Sequence, residues 1–151
     1  MAAQHVDPTR DQFKAFMTVR RAPEAAPAIH MLNVLRFREK AAYPDSHALA
    51  NKGMSGAEAY KQYSKAAAPV CQRLGGRQVW LGRPEAVVIG PTSDKWDLAF
   101  VATYPNAEAF AKMVQDTEYK QAVVHRSAAI ADSRLIRCEG LVPGASFGSK
   151  L

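Results

Sequence analysis

The sequence predicts an α+β domain in which an antiparallel sheet carries its helices on one face. Short runs dense in β-branched and aromatic residues alternate with longer stretches whose apolar residues recur every three to four positions. The 151 residues also include 9 glycines and 9 prolines, and most of them lie between these segments, where they mark the boundaries of the elements.

The first part of the chain, residues 1–28, is predicted to form a helical extension followed by a linker. Phe13, Phe16 and Met17 recur with the spacing of one helix face. The two prolines within residues 22–28 end that helix, because proline cannot donate a backbone hydrogen bond.

A strand, a loop and a long helix are predicted next. Ile29–Phe37 is rich in branched residues and is predicted to be a strand, whereas residues 39–53 contain loop-forming residues and form a long loop that we single out as a functional candidate. Ser55 and Glu58 have the spacing of a capping box, so a helix begins there and continues to the two glycines that follow Leu74.

The second half of the chain is predicted to contain three strand regions and two helical stretches. Arg77–Leu81 is a strand, and Glu85–Ile89 is predicted to continue it as a second short strand. Trp96–Tyr104 has the clearest strand pattern. Two helical stretches then lie between Asn106 and Ile130, and Ser133–Glu139 is the last strand.

The resulting order, βαββαβ, is that of the ferredoxin-like plan, which we assign to residues 29–139, with a loose tail at residues 140–151. Both faces of Ile29–Phe37 are mostly apolar. A sheet covered by helices on one side would leave its other apolar face in water, so we predict a homodimer that packs sheet against sheet.

Composition and charge exclude several classes of protein. The formal net charge is +6, but the basic residues are dispersed, and the densest clusters are Arg20-Arg21 and Arg36-Phe37-Arg38. We therefore expect no nucleic-acid partner. No apolar run is long enough to cross a membrane, and no hydrophobic leader precedes the extension, so we expect a cytoplasmic protein without a membrane partner.

Metal and cofactor sites are not predicted. The 2 cysteines, Cys71 and Cys138, have no CxxC spacing, and the 4 histidines have none of the short spacings typical of a metal site. No glycine-rich phosphate-binding pattern or nucleophile elbow is present in the sequence, so we expect no cofactor.

Several blocks of the sequence, in order, resemble the domain of unknown function 1330 family, which has a dimeric α/β-barrel fold. The matching blocks are Met31–Phe37, Gly56–Tyr60 with Tyr63, Pro69–Arg77, Thr117–Tyr119, Arg126 and Asp132–Leu135. The wider superfamily includes cofactor-free monooxygenases, haem-degrading enzymes, lactone isomerases and polyketide cyclases. The resemblance implies a pocket between the helices and the sheet of one subunit.

Arginines and tyrosines supply the candidate binding residues. Arg77 follows the glycine pair and should emerge at the rim of the sheet, where it could hold a carboxylate or pair with Glu85 or Asp97. Arg126 is either a second anion contact or a structural partner of Asp132. Arg134 is predicted to face the cavity or solvent, and Tyr60 and Tyr63 to be pocket walls or core.

Three residues are candidates for catalysis. Asn33 is a polar residue within an apolar strand, so its amide needs a partner, either a backbone group or a ligand carbonyl. His125 and Tyr104 are candidates for moving a proton, although a lone helical histidine is more often hydrogen-bonded or solvated.

The function expected from these residues is binding of a small anionic or aromatic carbonyl metabolite. If the protein is an enzyme, the expected reaction is a cofactor-free isomerisation, cyclisation or lyase cleavage. Arg77 would then hold the anion, Asn33 would polarise the carbonyl, and His125 or Tyr104 would transfer the proton. The alternatives are a monooxygenase-like or haem-degrading enzyme and a non-catalytic homodimeric binding or structural protein.

Overall fold

The chain folds into a four-stranded sheet packed against helices. A computed structural model describes residues 5–144. The strands are β1 (Ile29–Phe37), β2 (Arg77–Gly82), β3 (Leu98–Tyr104) and β4 (Ile130–Glu139). The helices are α1 (Arg10–Met17), α2 (Gly56–Arg73), α3 (Ala107–Gln115) and α4 (Thr117–Ala129).

The sheet has the strand order β2-β3-β1-β4, and every neighbouring pair is antiparallel. This order and the succession of elements confirm the predicted ferredoxin-like plan. Within one chain the sheet is open, with β2 and β4 at its edges, so it does not close into a barrel.

The two faces of the sheet differ sharply in burial. Ile29, Met31, Asn33 and Leu35 alternate along β1 and are all buried against the helices; we call this the inner face. The opposite, outer face carries Leu32 and its cross-strand partners on β3 and β4. Leu32 remains 36% exposed, so among the described residues no helix covers this face.

The long helix α2 begins as the sequence predicts. The Ser55 hydroxyl accepts a hydrogen bond from the Glu58 N–H (3.1 Å), and the Glu58 carboxylate accepts one from the Ser55 N–H (2.7 Å). The helix ends before Gly75, whose φ of +81° is a left-handed conformation that suits glycine. These two signals place Tyr60 and Val70 over the inner face, where both are buried.

The prediction of a strand at Glu85–Ile89 is wrong. This segment has no regular structure, and Val88 and Ile89 are 92% and 95% exposed. A strand needs a neighbour to pair with, and β2, which precedes the segment, pairs only with β3 among the described elements.

Two strand boundaries also differ from the prediction. Trp96 and Asp97 precede β3 rather than belonging to it. The Asp97 N–H still donates to the Leu35 carbonyl (2.7 Å), but the Phe37 N–H donates to the Asp97 carboxylate (2.8 Å). Strand β4 begins at Ile130 instead of Ser133, since the fully buried Ile130 pairs with Phe37.

The ends of the chain are described only in part. The predicted extension includes residues 1–4 and the predicted tail includes residues 145–151, and both of these stretches lie outside the described residues. Residues 140–144 have no regular structure. No helix in residues 5–144 is long and apolar enough to span a membrane.

Candidate functional site

A cavity of about 930 Å³ lies between the inner face of the sheet, the helices α2, α3 and α4, and the N-terminal segment that contains α1. Its size is that of a small-molecule site. Aromatic side chains form much of its wall: Phe13, Phe16, Tyr60, Tyr63, Phe100, Tyr104, Phe110 and Tyr119. Seven of the eight predicted site residues line it: Asn33, Tyr60, Tyr63, Arg77, Tyr104, Arg126 and Arg134.

Asn33 lies on the floor of the cavity and is 7% exposed. One N–H of its amide donates to the Met31 carbonyl (2.9 Å), which is the backbone partner that burial of this group requires. Its amide oxygen accepts no hydrogen bond from a described residue, so that oxygen and the second N–H remain free for a ligand.

Two tyrosine hydroxyls of the cavity are paired with each other. The hydroxyls of Tyr63 and Tyr119 lie 3.0 Å apart. Burial raises the pKa of both phenols, which are therefore protonated near neutral pH. Tyr119 was not among the predicted site residues, although it belongs to the same aromatic cluster.

Tyr60 and Tyr104 complete the tyrosine wall in different ways. The Tyr104 hydroxyl donates to the Met113 sulfur (3.5 Å), whereas the Tyr60 hydroxyl has no hydrogen-bond partner among residues 5–144. Burial raises the pKa of each phenol well above its ordinary value. Both hydroxyls are therefore hydrogen-bond donors rather than bases at neutral pH.

Arg126 brings a positive charge to the cavity. Its side chain, 12% exposed, donates to the Val6 carbonyl and lies 4.0 Å from the Asp7 carboxylate. It does not pair with Asp132, so the predicted structural partnership is wrong; Asp132 is held by Arg36 and Arg134 instead. Burial raises the pKa of Tyr60, and the positive charge of Arg126 lowers it and so offsets part of that rise.

The other two predicted arginines lie at the rim. Arg77 is exposed at the start of the edge strand β2, and within the described residues it forms no ion pair with Glu85 or Asp97. Arg134 forms a 2.8 Å ion pair with Asp132 and lies over the Trp96 ring, 5.4 Å from its centroid.

His125 is not among the residues that line the cavity. Its Nδ1 lies 2.7 Å from the Tyr43 hydroxyl, and the His47 ring stands edge-on to it at 5.8 Å. Burial, and secondarily the charge of His47, lowers the His125 pKa. Tyr43 and His47 come from the long loop singled out in the sequence, which thus meets α4 rather than the cavity.

The charge of the cavity wall is strongly unbalanced. The arginines that line it are Arg77, Arg126, Arg134 and Arg137, and Asp7 is the single carboxylate among the described lining residues. The strand register turns the Arg134 side chain to the outer face, so Arg126 and Arg137 supply the charge on the inner side. Arg134 already has Asp132 as its partner, and the Asp7 carboxylate is 58% exposed. No group of three or more metal-ligating side chains was found within residues 5–144.

Comparison with similar proteins identifies the fold and the family of the chain, but it identifies no reaction. A family described as a domain of unknown function (DUF1330) matches residues 45–141. The crystal structure of a protein of unknown function from Rhodopseudomonas palustris is 45% identical, with 93% of this chain and 100% of that chain covered and a TM-score of 0.83.

Two further structures are similar to the chain. A methylated form of the Rhodopseudomonas protein gives a TM-score of 0.84 at 45% identity, with 93% of this chain and 98% of that chain covered. A dimeric ferredoxin-like protein of unknown function from Bacteroides fragilis is 9% identical over 77% of this chain and 99% of that one, with a TM-score of 0.48. No protein of curated function matches the sequence significantly.

Proposed function

Since the chain belongs to the family of the domain of unknown function DUF1330, and the family's common region includes most of the cavity wall, we propose that the protein binds a small organic anion with an aromatic body. The observation that carries this proposal is a cavity of ligand size whose wall combines aromatic rings with unbalanced positive charge. Aromatic rings bury apolar surface of the ligand, and a half-desolvated guanidinium holds its anionic end.

Arg126 is the arginine best suited to hold the anion. Its guanidinium uses one N–H group on Val6, and its nearest carboxylate, at 4.0 Å, is too far for a strong hydrogen bond. Arg134 is already paired at 2.8 Å, and Arg77 is exposed at the rim. We assign Arg77 to attraction of the anion at the entrance, and we give Arg134 no role, because it shares the outer face with Ile136.

The hydroxyl of Tyr60 and the amide of Asn33 would contact a carbonyl or hydroxyl of the ligand. Both residues line the cavity, and each has a polar group that no described residue uses. If the bound molecule reacts, Tyr104 would stabilise developing negative charge as a hydrogen-bond donor and would not transfer its proton, because burial raises its pKa and keeps the phenol protonated. His125 lies outside the cavity wall, so a role for it in proton transfer would require the ligand to reach beyond this cavity.

A pair of fluorescent probes tests the binding function. Phenylnaphthylamine is neutral and aromatic, and anilinonaphthalene sulfonate has the same ring system with an added anion. We expect the protein to bind both probes, the sulfonate more tightly. Arg126→Gln should weaken binding of the sulfonate by about tenfold and leave the neutral probe nearly unchanged, since a charge-assisted hydrogen bond is lost.

A variant that fills the cavity supplies the spatial control. Ala102 lies on the cavity wall, so Ala102→Phe should weaken the binding of both probes. Ala66→Phe, on the exposed side of α2, makes the same chemical change outside the cavity and should leave the binding of both probes unchanged. If neither probe binds, or if the two phenylalanine variants bind equally well, the cavity is not a ligand site.

The outer face of the sheet supports a second proposal, a homodimer in which two such faces pack together. Leu32, Val101 and Ile136 lie side by side across three strands, and Ile136 and the nearby Trp80 are 51% and 54% exposed. An apolar face of this kind is stabilised by a second copy of the same face, as in other two-fold dimers.

Ile136→Glu is expected to convert the dimer into a monomer at micromolar concentration. Each copy would then bury a carboxylate in an apolar interface, where burial of charge is costly. Sedimentation or light scattering measures the mass, and Lys65→Glu on the exposed side of α2 is the charge-change control. A wild-type protein that is monomeric at these concentrations would contradict the proposal.

A further inference from the structure

We propose that Asp7 is an internal counter-ion for Arg126, and that the anionic end of the ligand replaces it and loosens the N-terminal strap, residues 5–17, between its two anchored ends. This inference rests on the proposed binding function and identifies how the same site is gated. Arg126 is the shared group, because it holds the strap at Val6 and also faces the cavity.

The strap closes one side of the cavity with little burial of its own. His5, Val6, Asp7, Phe13 and Phe16 line the cavity, yet α1 contributes no fully buried residue. A segment with so few buried contacts opens at lower free-energy cost than the elements of the core. Its apolar contacts with the core are made by Val6 and Phe16, and a small number of polar contacts hold the rest of it closed.

Those contacts are concentrated at the two ends of the strap. At its start, the His5 N–H donates to Asp132 (3.0 Å) and the Ser133 hydroxyl donates to the His5 carbonyl (2.7 Å). At its end, Arg137 donates to the Phe16 carbonyl and lies over the Phe16 ring.

The Asp7 contact lies between these ends and is a weak one. Its carboxylate is 4.0 Å from Arg126 and accepts a 3.3 Å hydrogen bond from the Ser127 hydroxyl, and the Asp7 side chain is 58% exposed. Arg126, by contrast, is 12% exposed. A ligand carboxylate that enters the cavity could bind the guanidinium with two short hydrogen bonds, which the Asp7 carboxylate does not form.

The arrangement favours monoanions over neutral ligands of the same shape. A neutral aromatic molecule leaves the Arg126–Asp7 pair in place, whereas an anion competes with Asp7 and with the Val6 carbonyl for one guanidinium. Loosening of the strap between its anchored ends and anion binding are then coupled, and each promotes the other by the same factor.

The test compares Asp7→Asn with Asp11→Asn, using anilinonaphthalene sulfonate and phenylnaphthylamine as probes. Both variants remove one negative charge from the N-terminal region, but Asp11 does not line the cavity or contact Arg126. We expect Asp7→Asn to bind the sulfonate about three- to tenfold more tightly and the neutral probe as before. Asp11→Asn should match the wild type with both probes.

Two further measurements separate the possible failures. The gain from Asp7→Asn should vanish in the Arg126→Gln background, and the sulfonate, but not the neutral probe, should accelerate cleavage by trypsin after Arg10 and Lys14 in the strap. Equal gains in Asp7→Asn and Asp11→Asn, or unchanged cleavage, would overturn the counter-ion role alone. Absence of binding by the neutral probe to the wild type would overturn the ligand-binding function itself.

Discussion

Gly56→Ala is expected to lower the free energy of unfolding by about 3 kcal/mol or more, because the new methyl group has no space. A Cβ atom at this position would lie 2.7 Å from the Ala129 carbonyl oxygen and closer still to the Arg38 carbonyl oxygen. Both are backbone atoms, so neither can move aside by changing a rotamer. Chemical and thermal unfolding of the variant measure the loss.

The clash lies where three segments of the chain meet. The Gly56 N–H donates to the Arg38 carbonyl (3.0 Å), and the Arg38 N–H donates to the Ala129 carbonyl (2.8 Å). A shift of α2 away from these atoms would therefore break the hydrogen bonds that join its start to β1 and α4. The expected loss is one of global stability and not of a single contact.

Gly53→Ala is the matched control for this experiment. Gly53 has a φ of +71°, but a Cβ atom there would meet no other atom within 4 Å. Its replacement is expected to cost about 1 kcal/mol from backbone strain alone. If Gly56→Ala lost no more stability than Gly53→Ala, the close approach of the three segments would not be what excludes a side chain at Gly56.

Local signals were sufficient to predict most of the fold. The strand Ile29–Phe37 has the predicted bounds, and the capping box of Ser55 and Glu58 begins α2 as expected. These features depend on residues close in sequence. The segment Glu85–Ile89 was predicted wrongly because its apolar composition favours a strand, whereas strand formation depends on a neighbouring strand far along the chain.

The candidate site was predictable in its inner-face residues and not in its long-range partners. Alternation along β1 grouped Asn33 with Ile29, Met31 and Leu35, but both faces of the strand are apolar, so the sequence did not show which of them forms the cavity floor. The contact of Arg126 with Asp7 joins residues more than a hundred positions apart, and no local pattern specifies it. The face of α4 that carries His125 was equally unpredictable, because apolar and polar residues are not clearly segregated around this helix.

The burial of tyrosines makes the protein sensitive to alkaline pH. Burial raises the pKa of Tyr60, Tyr63, Tyr104 and Tyr119 above the ordinary value of 10.0. Below about pH 10 the phenols are protonated in both the folded and the unfolded protein, so their ionisation does not make stability depend on pH. Above it, the unfolded chain releases protons that the folded protein still holds, and stability falls as pH rises.

Four such phenols are expected to remove on the order of 5 kcal/mol of stability by about pH 11, comparable with the whole stability of many domains. Unfolding by denaturant across this pH range measures the loss, and tyrosinate absorbance should rise together with unfolding rather than before it. Tyr60→Phe removes one ionisable phenol without breaking a hydrogen bond to a described residue. It should reduce the slope of stability against pH by about 1.4 kcal/mol per pH unit. Tyrosinate absorbance that rises near pH 10 while the protein stays folded would show that these phenols are accessible to solvent, and that the cavity wall is not as the structure describes it.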